Sequence, residues 1–317
     1  AGRAAAAVAS IRLSQNMITG STDVGSSRAK YDLDLSGIIA FGKVAAVSKT
    51  LTSIDLSNCG IAAAGIAEVT KFISAEAAVN SLTLDSNGIF GEIYSDGDVK
   101  EADKFVVEVQ PLLDALKTSS ITSLSLRSTG MGVKGVVAVA DAIRAMAALA
   151  WVSVLSNPIG IDGADALIEV FEQNTNLRTL LGIEEGITEV NLSKKNVDPG
   201  QAKILASEMK AGRAAAAINS LAVGSNPIGD EAMVQLLDGL KDVSLASLDI
   251  SKTQSGVSTA TKLAELLSQE TKFKAVLNSV TVDSTGVPKM MYGPPHEVEA
   301  SGPRTYTLTA GEEKIDL

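Results

Sequence analysis

The chain contains 317 residues, of which 45% are hydrophobic, and this proportion excludes a disordered polymer and predicts a folded protein. The formal net charge of -10 argues against nucleic acid as a partner, because the average surface repels a polyanion. A single cysteine, Cys59, and a single histidine, His296, exclude a disulfide framework and a zinc site of clustered Cys and His. This content is compatible with a reducing compartment, and we expect an intracellular, cytoplasmic protein.

Two stretches imitate membrane or targeting segments. Residues 135–155 are the most apolar run, but Asp141 and Arg144 interrupt it, so we predict no membrane span. The first seven residues, AGRAAAA, have the composition of a signal peptide, yet the same seven letters recur at residues 211–217. They are therefore repeat material.

The informative feature of the sequence is a recurring apolar motif, L-x-x-L-x-L-x-x-N/C-x-L, whose apolar positions face the interior of a stacked array. Nine copies follow one another, and a weaker tenth contains only Leu33 and Leu35. In chain order, the nine begin at Val8, Leu51, Val79, Ile121, Leu149, Ile187, Ile218, Leu245 and Leu277. Each copy predicts a short strand followed by a turn.

The segments between the copies predict helices. Leu51 and Val79 are 28 residues apart, as are Ile121 and Leu149, which leaves room for a helix in each unit. Apolar residues recur there at a spacing of three to four. The predicted helical segments are 65–75, 136–147, 163–172, 199–210 and 231–240.

The period and the turns Asn157-Pro158-Ile159-Gly160 and Asn226-Pro227-Ile228-Gly229 resemble those of the ribonuclease-inhibitor-like leucine-rich-repeat family. The resemblance covers essentially the whole chain. It implies an α/β fold, a leucine-rich-repeat solenoid that winds as a right-handed β-α superhelix. A curved parallel sheet would line its concave face and helices its convex face. It says little about function, because family members include inhibitors, immune sensors, cytoskeletal proteins and GTPase activators.

We predict one array over residues 1–317, with nine to ten repeats and insertions near residues 90–104 and 176–186. Residues 288–317 are predicted to be an irregular segment that leads into a truncated further repeat. Neither end resembles the polar cap that a solenoid normally carries. We therefore expect the chain to belong to a longer array, a larger protein or a larger complex.

Two glycine motifs resemble nucleotide-binding loops. Gly130-x-Gly132-x-x-Gly135 follows a strand-like run and opens a helix, but the turns of other repeats have glycine at the same place. In the run from Gly37 to Lys43, Val44 stands where a P-loop has its Mg²⁺-binding hydroxyl. We interpret both as parts of the repeat.

Other polar residues give no catalytic or metal site. Asp96, Asp98, Glu101 and Asp103 cluster without the spacing of an EF-hand loop, which favours a solvated acidic loop. His296 has no triad context, and Cys59 fills the N/C position of its repeat, so neither supports nucleophilic catalysis. We predict no cofactor, no metal and no catalytic residue.

Outward strand positions define the candidate binding surface, because strand side chains alternate between the two faces of a sheet. The position before the second core residue is serine in every copy except those with Trp151 and Glu189, and the position after the third core residue includes Arg127 and Leu155. Large side chains among small neighbours are typical of binding hot spots. We predict a contact patch of Trp151, Leu155, Arg127 and Glu189. The alternative is that the chain after Asn176 buries Trp151.

The predicted function is a non-enzymatic scaffold that holds a protein partner on the concave face of its repeats. The alternative is a regulator of an enzyme or small GTPase, since the repeat class resembles that of the Ran GTPase-activating protein. No residue can be carried over from that protein, because no motif beyond the repeat matches. A nucleotide-binding enzyme is a remote alternative that depends on the two glycine motifs alone.

Overall fold

The computed structural model describes residues 7–26, 28–75, 78–94 and 98–282, and the backbone of residues 304–307. The chain divides into two compact units, Ala1–Gly182 and Ile183–Leu317. Both units alternate short strands with helices. The prediction of one continuous array, like that of its superhelical winding, stays a prediction.

The first unit contains a sheet whose strands are each followed by a helix, with a small hairpin inserted after the third strand. Its elements are β1 (Ser10–Arg12), α1 (Ser36–Val47), β2 (Ser53–Asp55), α2 (Ala63–Ile73), β3 (Ser81–Thr83), β4 (Glu92–Ile93), β5 (Val99–Glu101), α3 (Val106–Lys117), β6 (Ser123–Ser125), α4 (Val133–Ala145), β7 (Trp151–Ser153) and α5 (Gly160–Gln173). The sheet has the order β1-β2-β3-β6-β7, and all its strands are parallel. The antiparallel hairpin β4–β5 lies where the sequence predicts an insertion.

The second unit repeats this plan. Its elements are β8 (Glu189–Asn191), α6 (Pro199–Ala211), a short 3₁₀ helix (Ala214–Ala217), β9 (Ser220–Ala222), α7 (Asp230–Leu240), β10 (Ser247–Asp249), α8 (Val257–Ser268), α9 (Lys272–Val276), β11 (Ser279–Val282) and β12 (Arg304–Thr307). The sheet order is β12-β11-β10-β9-β8, in which only the pairing of β12 with β11 is antiparallel. β12 is the described part of the predicted irregular segment 288–317.

Each of the nine motif copies forms a strand, which confirms the strand predictions. The prediction of a weaker repeat at Leu33 and Leu35 is wrong, because this segment is not a strand and leads directly into α1. Leu33 is 59% exposed, so it does not enter the core. Two apolar residues at a spacing of two, without the third apolar position of the motif, do not specify a repeat strand.

The core consists of the motif's apolar positions layered between strands and helices. Leu56 and Leu84 are fully buried, and Leu192 is only 8% exposed. Burial of a leucine side chain contributes about 2 kcal/mol. Consecutive helices pack against one another within each unit, α1 to α5 in the first and α6 to α8 in the second. Among the described helices, none combines the length and the apolar character needed to cross a lipid bilayer.

Buried asparagines connect the turns of neighbouring repeats. The Asn87 side chain accepts hydrogen bonds from the backbone N–H groups of Cys59 and Ile61, both at 3.0 Å, and donates one to the Leu56 carbonyl at 2.8 Å. Asn157 and Asn226 make the equivalent bonds. Each asparagine thus satisfies backbone groups of the repeat before its own, which would otherwise be buried without a partner.

Aspartates connect the helices in a similar way. The Asp103 carboxylate accepts hydrogen bonds from the N–H groups of Gly132, Lys134 and Gly135 at the start of α4, at 2.7–2.9 Å. Asp32 does the same for α2, and Asp230 for α8. A carboxylate is favoured there because the first N–H groups of a helix lack partners within the helix and carry partial positive charge.

Candidate functional site

Outward-facing positions form three rows across the sheet of the first unit. Their register is regular, because each strand pairs with the next without a shift. The first row is Ser10, Ser53, Ser81, Ser123 and Trp151, the second is Arg12, Asp55, Thr83, Ser125 and Ser153, and the third is Ser14, Ser57, Asp85, Arg127 and Leu155. Small hydroxyl side chains predominate in these rows, and those of Ser125 and Ser153 are buried.

An ion pair lies at the β1–β2 side of this face. The Arg12 guanidinium Nε is 2.9 Å from the Asp55 carboxylate, and their side chains are 79% and 23% exposed. The Ser57 hydroxyl donates a hydrogen bond to the same carboxylate at 2.6 Å. Because Arg12 is so exposed, the pair contributes at most about 1 kcal/mol to stability. The ion pair holds one acidic and one basic group beside each other on this face.

A second pair of opposite charges lies further across the face. Asp85 accepts a hydrogen bond from the backbone N–H of Arg127 at 2.9 Å, and both residues are half-buried. Burial raises the pKa of Asp85 above its usual value, while the neighbouring Ser125 and Arg127 oppose this rise. We call Arg12, Asp55, Ser57, Asp85 and Arg127 together the polar face.

The prediction that Leu155 is exposed is wrong, because Leu155 is 3% exposed. The chain that follows α5 runs along β7, where the N–H groups of Val152 and Val154 donate to the carbonyls of Thr179 and Leu180. At Gly182 it comes so close to the outer side of β7 that a Cβ would lie 2.8 Å from Ser153 Cβ. This segment therefore lies against the ends of the first and second rows, at Trp151 and Ser153.

Trp151 is half-buried beside the same segment. A Cβ on Gly182 would lie 2.9 Å from Trp151 Cζ2, so the ring packs against the chain after Asn176, as the alternative interpretation has it. Arg127 lies on the polar face, two rows from Trp151. Glu189 is exposed on β8 of the second unit, where it pairs with Ser220. A partner-binding role for these residues stays a prediction.

The glycine motif Gly130-x-Gly132-x-x-Gly135 serves the helix cap of α4. Its N–H groups are those that bind Asp103, and a Cβ on Gly135 would lie 2.7 Å from the Asp103 carboxylate. Glycine is needed here because the carboxylate approaches the backbone so closely. The anion at this helix terminus is thus a side chain of the protein itself.

The second glycine motif and Cys59 have roles in the fold. Gly37, Gly42 and Lys43 lie inside α1 rather than in a loop. Cys59 is fully buried, its thiol donates to the Leu13 carbonyl, and burial raises its pKa to about 11. His296 and Asp96 lie outside the described residues.

The described acidic residues of the insertion have separate roles. Glu101 is 2.9 Å from Lys104 in an ion pair, whereas Asp103 caps α4. In the part of the chain that the structure describes, no three His, Cys, Asp or Glu residues gather in a way that could hold a metal ion.

Residues 47–69 match a family model described as Leucine Rich repeat. The matched segment contains β2, the turn with Cys59 and the beginning of α2, which is one strand, turn and helix start. The match supports a leucine-rich-repeat family. The parallel strands that alternate with helices fit a leucine-rich-repeat-like fold. No curated protein matches the chain.

The pairing of Arg12 with Asp55 was not predicted from the sequence. The candidate binding surface was predicted from the first and third outward positions of each repeat, and these two residues occupy the second. A column through the second positions would have shown opposite charges side by side on neighbouring strands. Asp85 was in the third column, but its half-buried state follows from the packed structure.

Proposed function

We propose that this leucine-rich-repeat chain is a non-enzymatic protein-binding module, and that the polar face of its first unit contacts a protein partner. The observation that carries the proposal is the half-buried position of Asp85 and Arg127 among serines, on the side of the sheet away from the core. Partly desolvated charges with small neighbours are effective in recognition, because a partner can approach closely and complete their desolvation.

The presence of both acidic and basic groups on the polar face defines the partner's chemistry. Two arginines and two aspartates lie within four neighbouring strands. A partner that offers both a carboxylate to Arg127 and a basic group to Asp85 would match them. The same proposal includes a ribonuclease-inhibitor-like subtype, a curved concave face, membership of a larger assembly and a cytoplasmic location.

The test is affinity purification from the native source, with the chain immobilised, followed by measurement of the affinity for the captured protein. The variant is Arg127→Ser, because serine occupies the same row at Ser14 and Ser57. We expect it to weaken binding at least about tenfold, which corresponds to about 1.4 kcal/mol. The thermal unfolding midpoint should stay close to that of the original chain.

The matched control is Arg144→Ser, which removes the same charge from α4 on the helical side, where Arg144 pairs with Asp141. Binding should be unchanged in this variant. Equal binding by all three proteins would overturn the assignment to the polar face. An equal loss in both variants would show that net charge rather than position determines binding.

A further inference from the structure

Asn87 differs from its equivalents in the residue that follows it. Asn157 and Asn226 occupy the same position in their repeats, and each of them is followed by proline. Asn87 is followed by glycine, and it is the only asparagine in the sequence with this neighbour. Proline has no backbone N–H, whereas Gly88 has an N–H and no side chain to shield it. The three buried asparagines therefore make equivalent hydrogen bonds but have different covalent neighbours.

The neighbour matters because an asparagine can lose its side-chain amide in water, which makes it a thermolabile residue. In this reaction the backbone nitrogen of Gly88 bonds to Cγ of Asn87, and the bond from Cγ to Nδ2 breaks. Ammonia leaves with the proton that the Gly88 nitrogen gives up, and a five-membered cyclic imide remains. Water then opens the imide at either of its two carbonyl carbons, which leaves aspartate or isoaspartate. A proline nitrogen carries no proton and cannot close this ring, so Asn157 and Asn226 lack the route.

The folded turn holds Asn87 away from this reaction. Its side-chain oxygen accepts hydrogen bonds from two backbone N–H groups of the preceding repeat, and its nitrogen donates to three carbonyls, all at 2.8–3.2 Å. Asn87 is only 1% exposed, and Gly88 is buried beside it. A Cβ on Gly88 would lie 2.9 Å from the Gly91 carbonyl oxygen, so this backbone has little room to move. Ring closure would break the three donated bonds, and it needs water or base to take up the Gly88 proton.

We propose that the Asn87-Gly88 pair is a covalent modification site, at which the chain deamidates itself in water when the turn after β3 opens. The folded turn keeps the pair inactive, and opening exposes the Gly88 N–H to water and releases the Asn87 amide from its hydrogen bonds. Water is the only co-reactant. The inference goes beyond the polar face, because it concerns the lifetime of the folded chain and holds whether or not a partner binds.

The reaction removes the connection between the β2 and β3 repeats. Asn87 both donates and accepts hydrogen bonds, whereas an aspartate carboxylate only accepts them. The buried carbonyls of Leu56 and Leu84 would lose their donor and face a negative charge instead. Isoaspartate also adds one carbon to the backbone, which changes the geometry of the turn. A chain that reacts while it is open therefore cannot close again, so the modification makes unfolding irreversible.

The test compares the three asparagines in the folded and the unfolded chain. The full chain is incubated in mildly alkaline buffer with and without denaturing urea, and mass spectrometry of its digest measures amide loss at each asparagine. In urea, we expect Asn87 to convert at least about tenfold faster than Asn157 and Asn226. Without urea, Asn87 should convert at least about tenfold more slowly than in urea, because only the open fraction reacts. Equal rates at Asn87 under both conditions, or equal rates at all three asparagines in urea, would overturn the proposal.

The matched variant is Pro158→Gly, which gives Asn157 the same neighbour as Asn87. Pro158 is exposed, so the substitution leaves the core intact. In urea, Asn157 of this variant should convert at a rate close to that of Asn87. A rate unchanged from that of the original chain would overturn the assignment of the reaction to the residue that follows the asparagine.

The irreversibility is tested by diluting the urea after increasing incubation times. The fraction of chains that fails to regain the native circular dichroism signal should grow with the conversion of Asn87. Asn87→Asp, which reproduces one product directly, should unfold at a lower urea concentration than the original chain or fail to fold. An unchanged unfolding midpoint of Asn87→Asp, together with full refolding of the converted chains, would overturn the second half of the proposal.

Discussion

The turns after the strands are of two kinds, and the Asn87 and Cys59 turns show the difference. Asn87 uses both ends of its amide to satisfy groups of two repeats. Cys59 occupies the same position one repeat earlier, and its backbone N–H depends on Asn87. One asparagine side chain therefore serves two turns, its own and that of the repeat before it.

The largest effect should come from Asn87→Ala. The substitution leaves the buried N–H groups of Cys59 and Ile61 and the Leu56 carbonyl without their partner, and each such group costs about 1–3 kcal/mol. We expect the free energy of unfolding to fall by about 3 kcal/mol or more, measured by urea denaturation. A loss below about 1 kcal/mol would mean that the asparagine does not support the preceding turn.

We expect a smaller loss of stability where a carboxylate, rather than an amide, connects two repeats. Asp230 accepts hydrogen bonds from Gly256, Ser258 and Thr259 at the start of α8, and the bond from the Thr259 side chain contributes most to a pKa well below the usual range of aspartate. Asp230→Asn removes the charge from this cap. It should reduce stability by about 1–2 kcal/mol at pH 7.

The stabilisation by the Asp230 carboxylate depends on pH, and the stabilisation by the Asn87 amide does not. Because the pKa of Asp230 is lower in the folded state, its contribution is complete above about pH 4, the ordinary value for aspartate, and is lost as the pH falls towards the folded-state value. The difference in stability between the original chain and Asp230→Asn should therefore shrink between pH 5 and pH 2, and that between the original chain and Asn87→Ala should not. A constant difference for Asp230→Asn would contradict the charged cap.

Cys59→Ala tests the turn whose own side chain is not an asparagine. The substitution removes a buried sulfur and a weak hydrogen bond to Leu13, but it leaves every bond between the Asn87 side chain and the Cys59 backbone in place. We expect a loss of about 1 kcal/mol, the order of one buried methylene group, in the same urea titration. A cost as large as that of Asn87→Ala would show that both kinds of turn depend equally on their own side chain.

Local pattern explains which parts of the structure were predictable from the sequence. The strands could be predicted because the apolar positions of each motif copy lie within ten residues of one another. Each copy therefore indicates its own strand. The chain that packs against Trp151 and Ser153 at Gly182 is distant from them in the sequence and has no motif. Asp103 and α4 are similarly separated, and nothing in the local sequence indicates that this acid caps the next repeat's helix. Contacts between repeats, rather than within them, were therefore missed.

The smallest effect concerns a feature that both kinds of turn share. The residue before the N/C position has a left-handed backbone in each described repeat, and none of these residues is glycine: Gln15, Asn58, Ser86, Ser128, Ser156, Lys194, Ser225 and Lys252. Ser128 precedes Thr129 and Ser225 precedes Asn226, so the two serines represent the two kinds of turn. Their φ angles are 50° and 58°. The left-handed conformation costs a non-glycine residue about 1–2 kcal/mol.

Ser128→Gly and Ser225→Gly should therefore each stabilise the protein by about 0.5–1 kcal/mol, since glycine removes the backbone strain but gains more entropy on unfolding. The N–H groups keep their bonds to the Leu155 and Ser251 carbonyls. Ser220→Gly in β9 is the control, and it should destabilise by a similar amount because its backbone is extended. Equal gains at both turns would show that the strain belongs to the backbone that the turns of all repeats share. A gain only at Ser128 would mean that the buried asparagine at Asn226 already compensates for it.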